Sequence, residues 1–430
     1  MAKTIMAGSS SSSSSSTANT TQWPTLCGDK AFASSETNGQ IPVRASGTLS
    51  DYAIRISANS VSASTVMTVR KEGADTTITV TIGSGATGIF EDITHSFTVN
   101  AGDLIAVRSV PGAGSTGTYT LYNQKMEFDT DTSTTKTVTR LGATVGSINT
   151  GHTTASTNYS YAIGSALPSG GTTNTTETNA QTTEQYSAIY KNLGVRVTAN
   201  SRTTTTTGRF RKNTANGNQS VSIGSGATGW FEDTVNTDSV VAGDLTNFQL
   251  TTGTGTSALS LMGFVIDYET TTNPGTGRLG CSYTTPQAIP FDTTNYLPII
   301  GKFNGVFASE TNSQMKLNDT YTFKGLTVTA TQNNVNAAST ILLRVNGADT
   351  SLSVSIASNT IGVFSDLVHT VTIAAGDLVN FKIVVATGGS GDTLTLTSIG
   401  IWTEIAGAST FITATPTSKT VTNKFITHYP

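Results

Sequence analysis

Carboxylates are the first residues of this chain to weigh for chemistry. Glu36, Asp92 and Asp103 could supply the two acids that a glycoside hydrolase sets roughly 5 to 9 Å apart, one to protonate the leaving group and one to attack or to activate water. Each has counterparts at fixed spacing: Glu177, Asp233 and Asp244, then Glu310, Asp366 and Asp377. A reaction needs one site, and duplicated modules are free to lose acids that do not react. Acids kept in all three places point to turns or ion pairs. Arg70, Arg211 and Arg344 each lie 34 residues after the corresponding Glu. We therefore expect the structural ion pairs Glu36–Arg70, Glu177–Arg211 and Glu310–Arg344, one inside each module, because a costly buried pair is usually specified by geometry.

The remaining reactive types are sparse. His95 and His369 are repeat equivalents, five residues after a shared Phe, and Asn236 takes their place in the middle copy, as suits an exposed turn. A metal site needs three or four converging ligands, and an oxygen cage for calcium needs six to eight, more than Asp129-Thr-Asp131 or Asp267-Tyr-Glu269 supply. Gly83-Ser84-Gly85 lacks the Lys of a phosphate loop. There is no G-x-S-x-G elbow. Cys27 and Cys281 lack the paired spacing of a zinc site and read as small, semi-buried side chains. No catalytic residue, metal or cofactor is expected. Trp230 is the best aromatic for a sugar platform, with Ile89 and Val363 as its equivalents. Each precedes a Phe, and neighbours in a strand face opposite ways. Apolar residues on both faces point to an interdomain or partner contact at Ile89, Trp230 and Val363, with a covered loop or a sugar platform as alternatives.

These residues recur because whole modules recur. Glu36-Thr-Asn-Gly-Gln40 returns at Glu177–Gln181 and Glu310–Gln314 as E-T-N-x-Q, and Ala-Gly-Asp-Leu stands at Ala101, Ala242 and Ala375. From the signature Glu to the Asp of Ala-Gly-Asp is 67 positions in every copy. Ile82–Asp92 recurs at Ile223–Asp233 and more loosely at Ile356–Asp366. A period near 135 residues is far too long for a solenoid repeat, so each unit is a domain. Within it, apolar and polar residues alternate, as in Thr76–Ile82 and Ser351–Ile356, which is the period of half-buried strands. Glu72-Gly73, Asn216-Gly217 and Asn346-Gly347 read as hairpin turns.

About eight short strands per unit predict an all-β chain of three tandem, homologous antiparallel β-sandwiches, jelly-roll-like, with extended terminal arms. The expected boundaries are a Ser-rich arm at 1–24, sandwiches at 25–130, 154–270 and 294–406, linkers at 131–153 and 271–293, and a C-terminal arm at 407–430. Composition agrees: 12% charged residues, a formal net charge of −3 and roughly a fifth threonine suit polar β-surfaces. No basic stripe is available to neutralise phosphates, so nucleic acid and anionic membranes lose their driving force. No apolar run approaches the roughly 18 to 20 residues of a membrane span, and eight serines from Ser9 to Ser16 stand where a secretory signal would need an apolar run. A soluble chain without an export signal is expected.

The repeated E-T-N-x-Q, the G-x-F-x-D segment, the A-G-D-L turn, and the hairpins Gly73-Ala-Asp-Thr76 and Asn346-Gly-Ala-Asp-Thr350 resemble structural proteins of tailed-bacteriophage particles: capsid decoration (cement) proteins, head fibres and tail fibres built from jelly-roll modules. The resemblance implies a non-enzymatic virion protein on the outer surface of the particle, its partners being the major capsid protein, other virion subunits or further copies of this chain. Decoration proteins of that kind act as trimers, so three fused sandwiches would make a single-chain pseudo-trimer, and fusion removes the entropy cost of assembling three subunits. Phe411 and Phe425 in the C-terminal arm would then reach adjacent subunits. A head or tail fibre, or a receptor-binding or carbohydrate-binding protein, is the alternative.

Overall fold

A computed structural model describes residues 2–17, 19–24, 26, 32–130, 137–143, 155–162, 175–255, 259–270, 277–303 and 305–405. Cys27, Asp131, His152, Pro274, His428 and the 407–430 arm with Phe411 and Phe425 lie outside these residues. The described chain is all-β, built of antiparallel sheets, with helix confined to short turns. Sequence alternation becomes facial burial: along Ala74–Ile82, Ile78, Val80 and Ile82 are buried and the Thr residues between them are exposed, as a pleated strand with one wet face requires.

If eight strands are counted along the chain in the second and third sandwiches, one sheet runs first, eighth, third, sixth and the other second, seventh, fourth, fifth, which is the jelly-roll arrangement. The first sandwich has the same first sheet, but in its second sheet Ile41–Pro42 lies beside Leu104–Pro111 and the second-strand region joins only by the bridge Gln22↔Ser109. In the middle sandwich the first sheet is Thr137–Ala143, Leu259–Thr270, Ala188–Asn200 and Gly229–Val240, and the second is Thr157–Tyr161, Leu245–Thr251, Thr206–Lys212 and Ala215–Ile223. Each sandwich closes over its own apolar cluster, exemplified by Leu49, Ile54 and Val107 in the first, Val195, Phe210 and Phe248 in the second, and Leu326, Ile341 and Phe381 in the third.

Two expectations need correction. The first strand of every sandwich comes from a segment read as arm or linker: Ala2–Thr17 pairs with Thr118–Thr130, Thr137–Ala143 with Leu259–Thr270, and Gly277–Pro290 with Thr393–Ile405. A ladder is made by backbone groups, so a serine tract joins it without the apolar alternation that betrays a strand. Gly301–Phe303 pairs with Gly277–Pro290 and, at Ser10↔Lys302, with the first strand, joining sheets of the first and third sandwiches into nine strands. The second correction is Asn216-Gly217, which lies inside the strand Ala215–Ile223. The turn is at Asn213-Thr214, with φ of 50° and 66°, matching Glu72-Gly73 and Asn346-Gly347. Gly217 serves another purpose: a Cβ there would stand 2.8 Å from the Asp238 carboxylate, which accepts the Asn218 and Gln219 N–H groups.

Candidate functional site

The repeated Glu and Arg meet in all three sandwiches. E-T-N-x-Q folds as one helical turn, Glu36–Gly39, Glu177–Ala180 and Glu310–Asn312, which aims its Glu at a guanidinium on the fourth strand. Arg70 Nε lies 2.8 Å from Glu36 Oε1, Arg211 Nε 2.8 Å from Glu177 Oε1, and Arg344 Nε 2.6 Å from Glu310 Oε1. The same guanidinium donates to the turn carbonyls of Gly73, Thr214 and Gly347 and to Asp75, Asn216 and Asp349. Planar donors in a fork suit such a multi-point clamp. The acids are thereby committed to hairpin geometry.

Asp92, Asp233 and Asp366 form a second repeated device. Each accepts backbone N–H groups two and three residues ahead, at Thr94 and His95, Val235 and Asn236, or Val368 and His369, and a third from the neighbouring strand at Thr79, Ser220 or Ser353. Burial pushes Asp92 upward, but hydrogen bonds from Thr79, His95 and Thr94 outweigh it and hold the carboxyl at about 2; Asp233 and Asp366 are lowered against the same burial by the same kind of bonds. His95 and His369 sit on these aspartates, half exposed. Asp103, Asp244 and Asp377 close the Ala-Gly-Asp turns by accepting the N–H of Asn100, Val241 and Ala374.

What differs between copies lies at the seams. First meets second through Arg44, whose Nε is 2.9 Å from Glu232 Oε1, and through Asn38, which accepts from Arg196 at 3.4 Å. Second meets third through Gln185, which donates to Thr327 and Ser365 at 3.1 and 3.3 Å. Third meets first through Lys316 on Glu91, Asn123 on the Gln314 carbonyl at 3.2 Å, and Tyr122 edge-on to Phe307. Arg44 and Gln185 are repeat equivalents, as are Glu91, Glu232 and Ser365, and Lys316 stands two residues before Asn318, the third copy's counterpart of Arg44. One surface of each sandwich therefore meets the same different surface of the next, around a closed cycle.

The second seam also holds the most deeply buried ions. Arg278 and Glu184 are 1% and 0% exposed as side chains and form an ion pair. Tyr190 and Thr246 donate to Glu184 at 2.7 and 2.6 Å, Arg278 donates to Tyr190 at 2.7 Å, and its guanidinium stands 5.3 Å from the Trp402 ring centre. A cavity of about 10 Å³ remains beside Arg278, Cys281 and Trp402. Burial pushes the Cys281 thiol well up, as befits a packing cysteine.

Of the three contact candidates, Trp230 packs against the first sandwich's core, Ile89 is half-buried, and Val363 is 45% exposed. Sequence reasoning missed Arg44, Glu232, Glu184 and the role of Arg278, although the Arg-Leu-Gly echo at Arg140 and Arg278 was a signal. Among the described residues no three His, Cys, Asp or Glu side chains converge as metal ligands, and no helix is long and apolar enough to cross a membrane. No protein-family model and no curated protein matches the chain.

Proposed function

We propose that the chain is a non-enzymatic virion structural protein: a single-chain pseudo-trimer that decorates or cements the outer surface of a phage capsid by binding the major capsid protein or other virion subunits. The observation that carries this reading is the head-to-tail cycle of seams. A heterologous contact that returns to its starting subunit makes a ring and not an open string. A ring with approximate three-fold symmetry suits a three-fold position of a shell, and fusion lets each seam and outer face diverge. The repeated acids and arginines are committed to hairpins and turns, a use that fits a scaffold acting by surface burial. The alternative, a head or tail fibre or a receptor-binding or carbohydrate-binding protein, calls for exposed aromatics at loop ends; Trp230, the candidate sugar platform, instead packs against the first sandwich's core.

The test is mass spectrometry and cryo-electron microscopy of purified particles. Many copies at three-fold positions over an icosahedral shell are expected. A few copies at a tail or vertex would replace decoration by a fibre role, and absence from particles would overturn the virion assignment.

A further inference from the structure

Asp92, Asp233 and Asp366 each hold a short protrusion of an edge strand. Three residues stand opposite one: 93–95 opposite Asp51, 234–236 opposite Asn192 and 367–369 opposite Gly325, with φ of 54°, 56° and 65° at the lone residue. A bulge of this kind stops an edge from pairing with another chain, and natural edges commonly reinforce it with charged side chains. Here the tips read Ile93-Thr-His95, Thr234-Val-Asn236 and Leu367-Val-His369, with no Lys, Arg, Asp or Glu in any of them. Ile93, Val235, Leu367 and Val368 are four of the eight large apolar side chains exposed among the described residues, and Val235 and Val368 are 86% and 85% exposed. One exposed apolar residue is ordinary. An apolar tip at the same station of all three sandwiches is not scatter.

The tips are stiff and adjoin the seams. Each aspartate accepts the amides of the second and third tip residues and one amide from the other sheet, so little backbone freedom is left to lose on binding. The third tip residue, His95, Asn236 or His369, turns back onto the aspartate, which leaves the aliphatic side chains to make contact. Glu91, Glu232 and Ser365 meet Lys316, Arg44 and Gln185 across the seams, and each tip begins two residues further along the same strand. In a head-to-tail cycle, equivalent stations are related by the rotation that generates it. The tips therefore recur around the ring, one beside each seam.

We propose that Ile93, Val235, Leu367 and Val368 are plugs by which the ring docks on three equivalent protein subunits of a shell, each offering one uncharged apolar socket beside a seam. This deepens the virion reading and rests on it. Branched aliphatic side chains call for a dry pocket, and the carboxylate behind each tip is already satisfied by amides, so the socket needs no basic group. Three weak plugs on one rigid ring bind together far more tightly than any one alone.

Binding of the full chain to virion shells grown without it tests this. Ile93→Asp, Val235→Asp and Val368→Asp should each weaken binding about tenfold, and the triple variant at least about a hundredfold, because each substitution buries an unpaired charge in the socket. A control triple, Thr81→Asp/Ser222→Asp/Ser355→Asp, adds the same charge at exposed equivalent stations of the second sheets and should bind as the unsubstituted chain does, all with unchanged melting temperatures. Undiminished binding by the tip triple would overturn the plugs and leave the virion reading standing, as would an equal loss in the control. No binding by the unsubstituted chain would overturn both. Self-association of the unsubstituted chain that the tip triple abolishes would overturn the shell as occupant and make it a second copy.

Discussion

Glu36–Arg70, Glu177–Arg211 and Glu310–Arg344 are one contact made three times at a separation of 34 residues. Arg44–Glu232, Arg278–Glu184 and Lys316–Glu91 join different sandwiches at separations of 188, 94 and 225; Glu232 and Glu91 are repeat equivalents, but their cationic partners stand at different positions of the repeat and Arg278–Glu184 uses neither station. The clamp cannot diverge freely because each hairpin carbonyl and helical turn needs the same donor in the same place. A seam needs only complementarity to its own neighbour, and three unlike seams specify which sandwich meets which.

The comparison breaks most visibly at the buried seam. Arg278→Ala leaves Glu184 buried without its counter-ion and should cost about 3–5 kcal/mol in denaturant unfolding, whereas replacing both ions by apolar residues of similar volume should cost far less. A loss below about 1 kcal/mol would show that this seam does not hold the ring. Arg202 offers a contrast within the repeat: it is 1% exposed, its Nε and Nη2 lack partners among the described residues, and its counterparts are the buried Val61 and Val335. Burying unpaired donors is costly, so Arg202→Val should raise stability by about 2 kcal/mol, read as a higher melting temperature; a lower one would show that the guanidinium has a use.

Acid probes the repeated devices. The Asp92 carboxyl is held at about 2, below its unfolded value of 3.8. A depressed carboxyl stabilises above the unfolded value and loses that contribution as pH falls through the folded one. Asp92 should therefore contribute about 2 kcal/mol at neutral pH, lost between about pH 4 and pH 2. In Asp92→Asn the acid limb of stability should flatten, and an unchanged limb would refute the assignment. The smallest effect is expected at Arg44–Glu232, whose side chains are 21% and 16% exposed: a double-mutant cycle should give at most about 1 kcal/mol, falling with salt. A coupling as large as that of Arg278 would erase the distinction between the seams.

Legibility followed distance along the chain and kind of contact. Alternation in Thr76–Ile82 announced a strand because a pleat puts every second side chain in the core. The Glu–Arg spacing was legible because it repeated. The serine tract gave no such sign, since its pairing is backbone to backbone, and Asn216-Gly217 misled because a turn dipeptide and a glycine that makes room for Asp238 look alike until the partner is seen.

By itself the sequence determined that this is a β-protein of tandem units, with acids and arginines at recurring stations, because period, turn residues and spacing are local properties of a chain. Only the tertiary structure decided that the first strand of each jelly roll is drawn from an apparent arm or linker, that the three surfaces meet in a cycle, and that Trp230 is spent on a neighbour's core. Those outcomes depend on which surfaces approach one another across roughly 100 to 200 residues, and complementarity between distant surfaces has no periodicity to leave in a sequence.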